Sequence, residues 1–253
     1  MSERKLKHGN PALFNAMMMP HFCPGCHYGS MLRCLMEALE ETGVSSDTVL
    51  VNGIGCSMVS AHYIKNVEGV VALHGRAPAV ATGIKRALGK DKIVLTMQGD
   101  GDLAAIGMGE IIAAAGRFEK LTTIFLNNAN FGTTGGQAAP TTLLGQVTPT
   151  TPAGRDPETS GFPIHMAELM TNFKGVVYSF RGAVNSHKNY NRLKKAMVIA
   201  IEKQKQNVGY SFIEVLSACP PGHHIKGKDG LKLVDKMIEE FPLGEFKNTD
   251  RPV

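Results

Sequence analysis

An aspartate in a Gly-Asp-Gly-Asp turn and an asparagine pair one strand later make a donor set for a hard cation. Asp100 lies in Gly99-Asp100-Gly101-Asp102 after the apolar run Lys92-Ile93-Val94-Leu95-Thr96-Met97, and Asn127-Asn128 ends the run Leu121-Thr122-Thr123-Ile124-Phe125-Leu126. Mg2+ takes an octahedral set of oxygens and is typically held by one or two carboxylates, water and the phosphates of a cofactor. The Asp100 carboxylate and the Asn128 amide oxygen fit that chemistry. Next comes Ala129-Asn130-Phe131-Gly132-Thr133-Thr134-Gly135-Gly136-Gln137, a glycine and hydroxyl cluster able to bring backbone N–H groups close to a diphosphate. A purely structural reading competes: Gly and Asp are ordinary turn residues, and Asp102 could cap the following helix.

These residues need a parallel sheet to bring them together. Both apolar runs read as buried strands, and Leu103 to Gly116 carries apolar residues at helical spacing around Glu110. A strand-helix-strand unit is right-handed and sets the carboxyl ends of neighbouring strands side by side. In an open α/β sheet that edge is where ligands bind. Strands are expected at Thr48 to Asn52, Val70 to Leu73, Lys92 to Met97, Leu121 to Leu126, Val176 to Phe180 and Tyr210 to Leu216, with helices between most of them. The pattern is that of a doubly wound, mainly parallel α/β fold. Asn128 to Gly161, rich in Thr, Gly and Pro, lacks either periodicity; a loop of that length reads as functional, covering a cofactor and contacting a partner.

Five cysteines give an independent line: Cys23, Cys26, Cys34, Cys56 and Cys219. An odd count argues against a disulfide framework. Cys23-Pro24-Gly25-Cys26 is a C-x2-C pair that alone could be redox-active, zinc-binding or half of an iron-sulfur site. Cys56 sits in Asn52-Gly53-Ile54-Gly55-Cys56-Ser57, and Cys219 precedes Pro220-Pro221 beyond the Tyr210 to Leu216 strand. Taken singly, each also fits as a core residue. Both lie at strand exits, however, and exits in one parallel sheet converge on one edge. Four thiolates from three places fit a [4Fe-4S] cluster. Cys34, within the helical pattern Met31 to Leu39, reads as a small core hydrophobe.

Here the residues resemble a known family. Gly99-Asp100-Gly101 through Asn127-Asn128 resembles the thiamine diphosphate motif. Phe131-Gly132-Thr133-Thr134-Gly135-Gly136-Gln137 is similar to the Tyr-Gly-Met-Thr-Gly-Gly-Gln signature of 2-oxoacid:ferredoxin oxidoreductase β subunits. The likeness runs from about Cys23 to Cys219. It implies a thiamine diphosphate-binding fold, with residues 1–253 forming one diphosphate-binding domain that includes an N-terminal segment, 1–46, and a C-terminal extension, 220–253. It implies Mg2+ held by Asp100, the Asn128 side chain and the Asn130 carbonyl, and cofactor contacts from Gly101, Asp102, Gly132 and Thr133. His74-Gly75-Arg76-Ala77 matches a family motif that puts His74 on the diphosphate, and Ile54, Gly55, Cys56 and Ser57 match a cofactor-contacting turn. Cys23, Cys26, Cys56 and Cys219 take the places of the [4Fe-4S] ligands. Three departures stand out: Phe131 for Tyr, Thr133 for Met, and His27-Tyr28 where the family has Gly-His. No role is assigned to His27 or Tyr28.

The implied activity is oxidative decarboxylation of a 2-oxoacid to acyl-coenzyme A and CO2, with electrons passing singly through the cluster to ferredoxin. Met58-Val59 and Ala138 to Gln146 look most like the 2-oxoisovalerate branch, with pyruvate and 2-oxoglutarate still open. In thiamine enzymes a glutamate from a pyrimidine-binding domain activates the cofactor. The chain is expected to be too short to hold that domain as well, so an α subunit, with room for further small subunits, is expected to complete the site; no catalytic residue is assigned within this chain alone. Two other classes are weighed: a cluster-free thiamine diphosphate-dependent decarboxylase subunit, which has no use for four placed cysteines, and a non-catalytic iron-sulfur or zinc electron-transfer module, which leaves the Mg2+ set unexplained.

At 253 residues and 43% hydrophobic content the chain can bury a sizeable core. It has no apolar run of about 18 residues, so no membrane span is expected. Met1 to Asn10 is polar without an apolar stretch beside it, so a cytoplasmic location is expected. A net charge of +5 is a weak argument for nucleic acid. The lysines gather on Lys188 to Lys205 and Lys226 to Lys236, and solvated helix faces without aromatic interleaving account for both. A minority reading is steering of an acidic redox partner.

Overall fold

Strands buried on both faces read as continuous apolar runs, and the centre of this sheet is built from such runs. The computed structural model describes residues 9–17 and 21–252; the polar stretch 1–8 and residues 18–20 of the N-terminal segment lie outside the described residues. The strands are β1 (Thr48–Asn52), β2 (Glu68–Val71), β3 (Ile93–Gly99), β4 (Thr122–Asn127), β5 (Val176–Ala183), β6 (Tyr210–Leu216) and β7 (Gly244–Asn248). They form one sheet in the order β2-β1-β3-β4-β6-β5-β7. All pairings are parallel except that of β7 with β5. The helices are α1 (Tyr28–Thr42), α2 (Ala77–Leu88), α3 (Met108–Gly116), α4 (Pro157–Ser160), α5 (Met166–Met170), α6 (His187–Lys205) and α7 (Gly230–Glu240).

Alternation along the strands divides the core in two. Leu50, Leu95, Met97, Ile124, Leu126, Ile213 and Val215 face α1 and α6, which bury Met31, Leu35, Leu39, Leu193, Met197 and Ile201 against them. Val49, Val51, Val94, Phe125 and Phe212 face α2, α3 and α5 through Ala77, Ala81, Ile111, Ala114 and Met166. Cys34 belongs to the first core and is fully buried. The order in which the chain adds strands reverses at β1, which has β2 on one side and β3 on the other. The crevice beyond the carboxyl ends at such a switch point is the expected ligand position.

Three features differ from the sequence expectation. The second strand is Glu68–Val71 rather than 70–73: it is a partly exposed edge paired only with β1, and Leu73, 78% exposed, has already left the sheet. The helix expected over 103–116 breaks into a π-helical turn at Gly101–Ile106 and then α3, with Gly107 between. β7 was not legible because Gly-Glu-Phe-Lys-Asn has no apolar alternation; pairing with β5 creates it. Within 220–252, α7 also packs Val234, Met237 and nearby Phe241 against Leu143 and Leu216. The long 128–161 segment is ordered by polar contacts, with the Arg155 guanidinium donating to the carbonyls of Ala139, Pro140, Thr142, Ser160, Gly161 and Phe162.

A buried ion network ties β5 to β6 and α5. Arg181 on β5, with its side chain fully buried, lies 2.9 Å from Glu214 on β6 and also pairs with Glu168 of α5. Glu214 in turn accepts from the Asn127 amide at 2.7 Å, so the network reaches the end of β4. Burial opposes charge on Glu168, yet the Arg181 guanidinium holds its carboxyl below the ordinary value of 4.5. Arg181→Met leaves Glu214 buried without its cation and should cost about 3–5 kcal/mol of stability, read by denaturant unfolding followed by circular dichroism. The folded-state pKa of Glu168 is depressed, so its share of that stability is full above pH 4.5 and fades as acid protonates it. The gap between wild type and variant should therefore narrow below that pH.

Candidate functional site

A cleft opens over the carboxyl ends of β1, β2, β3 and β4. Tyr28, Ile54, Gly55, Cys56, His74, Gly99, Asp100, Gly101, Asp102, Asn128, Asn130, Phe131, Gly132, Thr133 and Thr134 line it. Every residue expected to touch a diphosphate is among them except Ser57. That side chain is buried behind the β1 turn, where its hydroxyl donates to the Gly53 carbonyl at 3.2 Å.

Asp100 directly follows β3 and is 1% exposed. Its oxygens accept from the amides of Asn128 (3.0 Å) and Ala129 (2.9 Å) and from the Thr141 hydroxyl. Two consecutive amides can converge this way because Ala129 takes a left-handed backbone, φ 58°. A side chain rarely adopts that conformation, at a cost on the order of 1–3 kcal/mol. Asn127 supports the turn, accepting from the Ala129 amide at 3.1 Å. Burial pushes the Asp100 carboxyl up to about 7, against the lowering effect of Thr141 and the Asn128 and Ala129 amides. Its donors are all neutral, so charge on this carboxylate is left for a cation to compensate, and the donor set fits Mg2+.

Asp102, two residues on, is in the opposite situation. Its carboxylate accepts from the amides of Ile54 (3.0 Å) and Gly75 (2.9 Å) and from the Gln98 side chain. His74 Nδ1 lies 2.9 Å from the same carboxylate, in poor alignment for a hydrogen bond. A Cβ at Gly53 would stand 2.1 Å from Asp102 Oδ2, so only glycine lets the β1 turn approach this closely. Asp102 does not cap the following helix. It draws the exits of β1 and β2 toward that of β3, and it reaches the cleft mainly through what it positions.

The four cysteines of the expected cluster come together beside this cleft. Cys23 is exposed, Cys26 and Cys56 are half-buried and Cys219 is buried. Burial pushes the Cys26 thiol up to about 12; the Tyr28 amide opposes this, while charge on Cys219, Cys56 and Cys23 adds to it. Cys219 is pushed up to about 11 by burial, and the charges of Cys56, Cys23 and Asp100 add to the rise. Cys34 responds instead to burial, Glu37 and Lys194, so it stands apart. Four thiols of this kind are the donor set that an iron-sulfur cluster takes. Among the described residues, no group of three or more His, Cys, Asp or Glu side chains closes around a single metal ion. An iron-sulfur cluster asks for a different arrangement, with its thiolates spread over several irons.

Several residues of the site carried no sequence signal. The Tyr28 hydroxyl accepts from the Asn128 amide at 3.2 Å, and its ionisation is opposed by burial and then by Asp100, Cys56, Cys26 and Cys219. It therefore lies between the thiols and the cation donors. His223 Nε2 is 2.8 Å from the Asn128 carbonyl, and burial favours its neutral form. Thr141 and Gln98 are the other two. The position of Tyr28 two residues after Cys26 is the one clue the sequence offered.

Residues 53–215 match the C-terminal TPP binding domain of thiamine pyrophosphate enzymes. Ketoisovalerate oxidoreductase subunit VorA of Methanothermobacter thermautotrophicus is 43% identical over 229 residues, covering 90% of this chain and 48% of VorA. The chain thus spans about half the length of that relative. 2-Oxoglutarate synthase subunit KorB of Methanocaldococcus jannaschii is 38% identical over 204 residues, covering 80% of this chain and 70% of KorB. The β subunit of 2-oxoacid:ferredoxin oxidoreductase from Saccharolobus solfataricus is 34% identical over 222 residues, covering 87% of this chain and 68% of that subunit. Among solved structures, 2-oxoglutarate:ferredoxin oxidoreductase from Magnetococcus marinus, with 2-oxoglutarate, coenzyme A and succinyl-CoA bound, superposes with a TM-score of 0.78 at 24% identity. That match covers 99% of this chain and 88% of the other and bears on fold.

Asp102→Ala strips the acceptor from buried amides on two turns, each worth roughly 1–3 kcal/mol when left unpaired. A loss of about 3–5 kcal/mol is expected in denaturant unfolding, with Asp102→Asn, which keeps an acceptor oxygen, clearly milder. Equal stability of Asp102→Ala and wild type would contradict the positioning role.

Proposed function

Because this chain belongs to the thiamine pyrophosphate enzymes, through their C-terminal TPP binding domain, and to the 2-oxoacid oxidoreductase subunits, we propose that it is the diphosphate-binding β subunit of a 2-oxoacid:ferredoxin oxidoreductase. The observation that carries the reading is that Cys56 lines the same cleft as Asp100 and Asn128, and that a Cβ at Gly132 would stand 3.0 Å from Cys219 Sγ, 3.5 Å from Asn130 Oδ1 and 3.7 Å from Asn128 Nδ2. One sheet edge thereby joins a cation clamp to a set of cluster ligands, a combination that neither a cluster-free decarboxylase nor a simple electron-transfer module requires.

In this reading the Asp100 carboxylate, the Asn128 side chain and the Asn130 carbonyl hold Mg2+, and Cys23, Cys26, Cys56 and Cys219 hold the [4Fe-4S] cluster. Gly101, Gly132, Thr133, Ile54, Gly55 and Cys56 form the walls against which the diphosphate lies, with His74 reaching it from the β2 exit. Thiamine diphosphate, when bound, supplies the electron sink for decarboxylation of a 2-oxoacid. The chain's own contribution is to fix that cofactor's charged end, exclude water around it and keep an electron acceptor next to it. The Cys56 thiol, 3.0 Å from the Thr133 hydroxyl, belongs to both walls.

The relatives and the cleft's neighbourhood support a reading of substrate and partners. The 43% identity to a ketoisovalerate oxidoreductase subunit supports a branched-chain 2-oxoacid. Met58, 43% exposed just beyond the Cys56 turn, adds apolar surface beside the cleft. An α subunit supplies the activating glutamate, coenzyme A takes the acyl group and ferredoxin takes the electrons. Among the described residues no helix is long and apolar enough to cross a membrane.

Asp100→Ala should weaken Mg2+-dependent thiamine diphosphate binding by more than the roughly 10- to 100-fold typical of losing an outer-shell partner, measured by titration calorimetry. Unchanged binding would overturn the metal assignment. Anaerobic co-expression with the α partner should give coenzyme A-dependent ferredoxin reduction that is highest with 2-oxoisovalerate, while the isolated chain turns over no 2-oxoacid. Full turnover by the chain alone would sink the two-subunit reading.

A further inference from the structure

Asn130 has a second function in view besides its carbonyl. Its side chain is 1% exposed, and neither Nδ2 nor Oδ1 has a hydrogen-bond partner. A buried carboxamide left without partners costs about 1–3 kcal/mol per lost hydrogen bond, and such a group in a folded protein calls for an explanation. Two glycines show where it lies. A Cβ at Gly222 would stand 2.7 Å from Asn130 Nδ2 and 3.0 Å from Cys219 Sγ, and one at Gly132 would stand 3.0 Å from Cys219 Sγ and 3.5 Å from Asn130 Oδ1. The chain has thus removed side chains at both positions where sulfur and carboxamide share space. The backbone amide of Asn130 is already engaged, donating to Asn128 Oδ1 at 3.3 Å, so the free hydrogen-bonding capacity is that of the side chain.

We infer that the Asn130 carboxamide is a hydrogen-bond donor to the sulfur shell of the cluster at its Cys219 corner, and that it sets the cluster's reduction potential. The inference rests on the cluster assignment made above. Its physics is general: an N–H aimed at a sulfur stabilises the added negative charge of the reduced cluster, and hydrogen bonds to sulfur are among the factors that set these potentials. Removing the donor makes the reduced form harder to reach. Asn130 thereby links the two halves of the site, with its carbonyl on the cation side and its amide on the sulfur side.

The test is an anaerobic redox titration of the full chain, followed by electron paramagnetic resonance, in wild type, Asn130→Leu and Asn130→Ser. Asn130→Leu should lower the reduced-to-oxidised ratio about tenfold at a fixed ambient potential, a shift of about 59 mV to more negative values for one electron. Asn130→Ser, which keeps a hydroxyl donor, should recover part of the shift and guards against a Leu variant that fails to fold. Wild-type potentials in both variants at full iron content would overturn the inference and leave the cluster assignment standing. So would an unshifted potential accompanied by weakened thiamine diphosphate binding, because the carboxamide would then serve the diphosphate. Absence of a cluster from wild type would overturn the assignment itself, and the inference with it.

Discussion

A carboxylate closed off from water and met only by neutral donors is the constraint around which this sheet edge is organised. Asp100 is buried at the end of β3, and Thr141 with the Asn128 and Ala129 amides reaches it without bringing positive charge. Hydrogen bonds of this kind moderate the cost of burying an ion but do not remove it, which is why the carboxyl sits near 7. In the proposed reading a divalent cation removes that cost, and the left-handed Ala129 keeps the two converging amides in place.

The neighbouring Asp102 shows that residue type alone does not decide such a role. It is as deeply buried as Asp100, yet its oxygens are taken up by the Ile54 and Gly75 amides and by Gln98. One aspartate therefore gathers three strand exits and the other is met by neutral donors alone. The same economy appears in the polar residues behind them: Asn127 ties the β4 end to Glu214 and Arg181, while Asn128 turns into the cleft. Cys219 shares the space around Gly132 and Gly222 with Asn130, and in the proposed reading that is where the cation side meets the cluster.

Much of this was legible in the sequence, and the exceptions have physical causes. Thr48 to Asn52 and Tyr210 to Leu216 read correctly to the residue because their runs are buried along their whole length. The placing of Cys34 in the core followed from helical spacing, and its surroundings agree. β7 was invisible because an edge strand of mixed polarity carries no period of its own. The π-helical turn after Asp100 escaped notice because its apolar spacing imitates an α-helix. Tyr28, Thr141 and His223 act through contacts with residues far away in the chain, which spacing cannot encode. The motif residues other than Ser57 line one cleft, Ser57 lies behind it, and the Asp102 carboxylate is occupied by scaffold contacts.

In the proposed reading a cation clamp and an iron-sulfur cluster share one edge of this sheet. Substituting paramagnetic Mn2+ for Mg2+ in the presence of thiamine diphosphate, and recording the spin relaxation of the reduced cluster, measures that adjacency directly. Relaxation of the cluster signal should be strongly enhanced by Mn2+ in wild type and should return to its Mn2+-free value in Asp100→Ala. A cluster signal indifferent to Mn2+ in the wild-type protein, with Mn2+ and thiamine diphosphate demonstrably bound, would contradict the account.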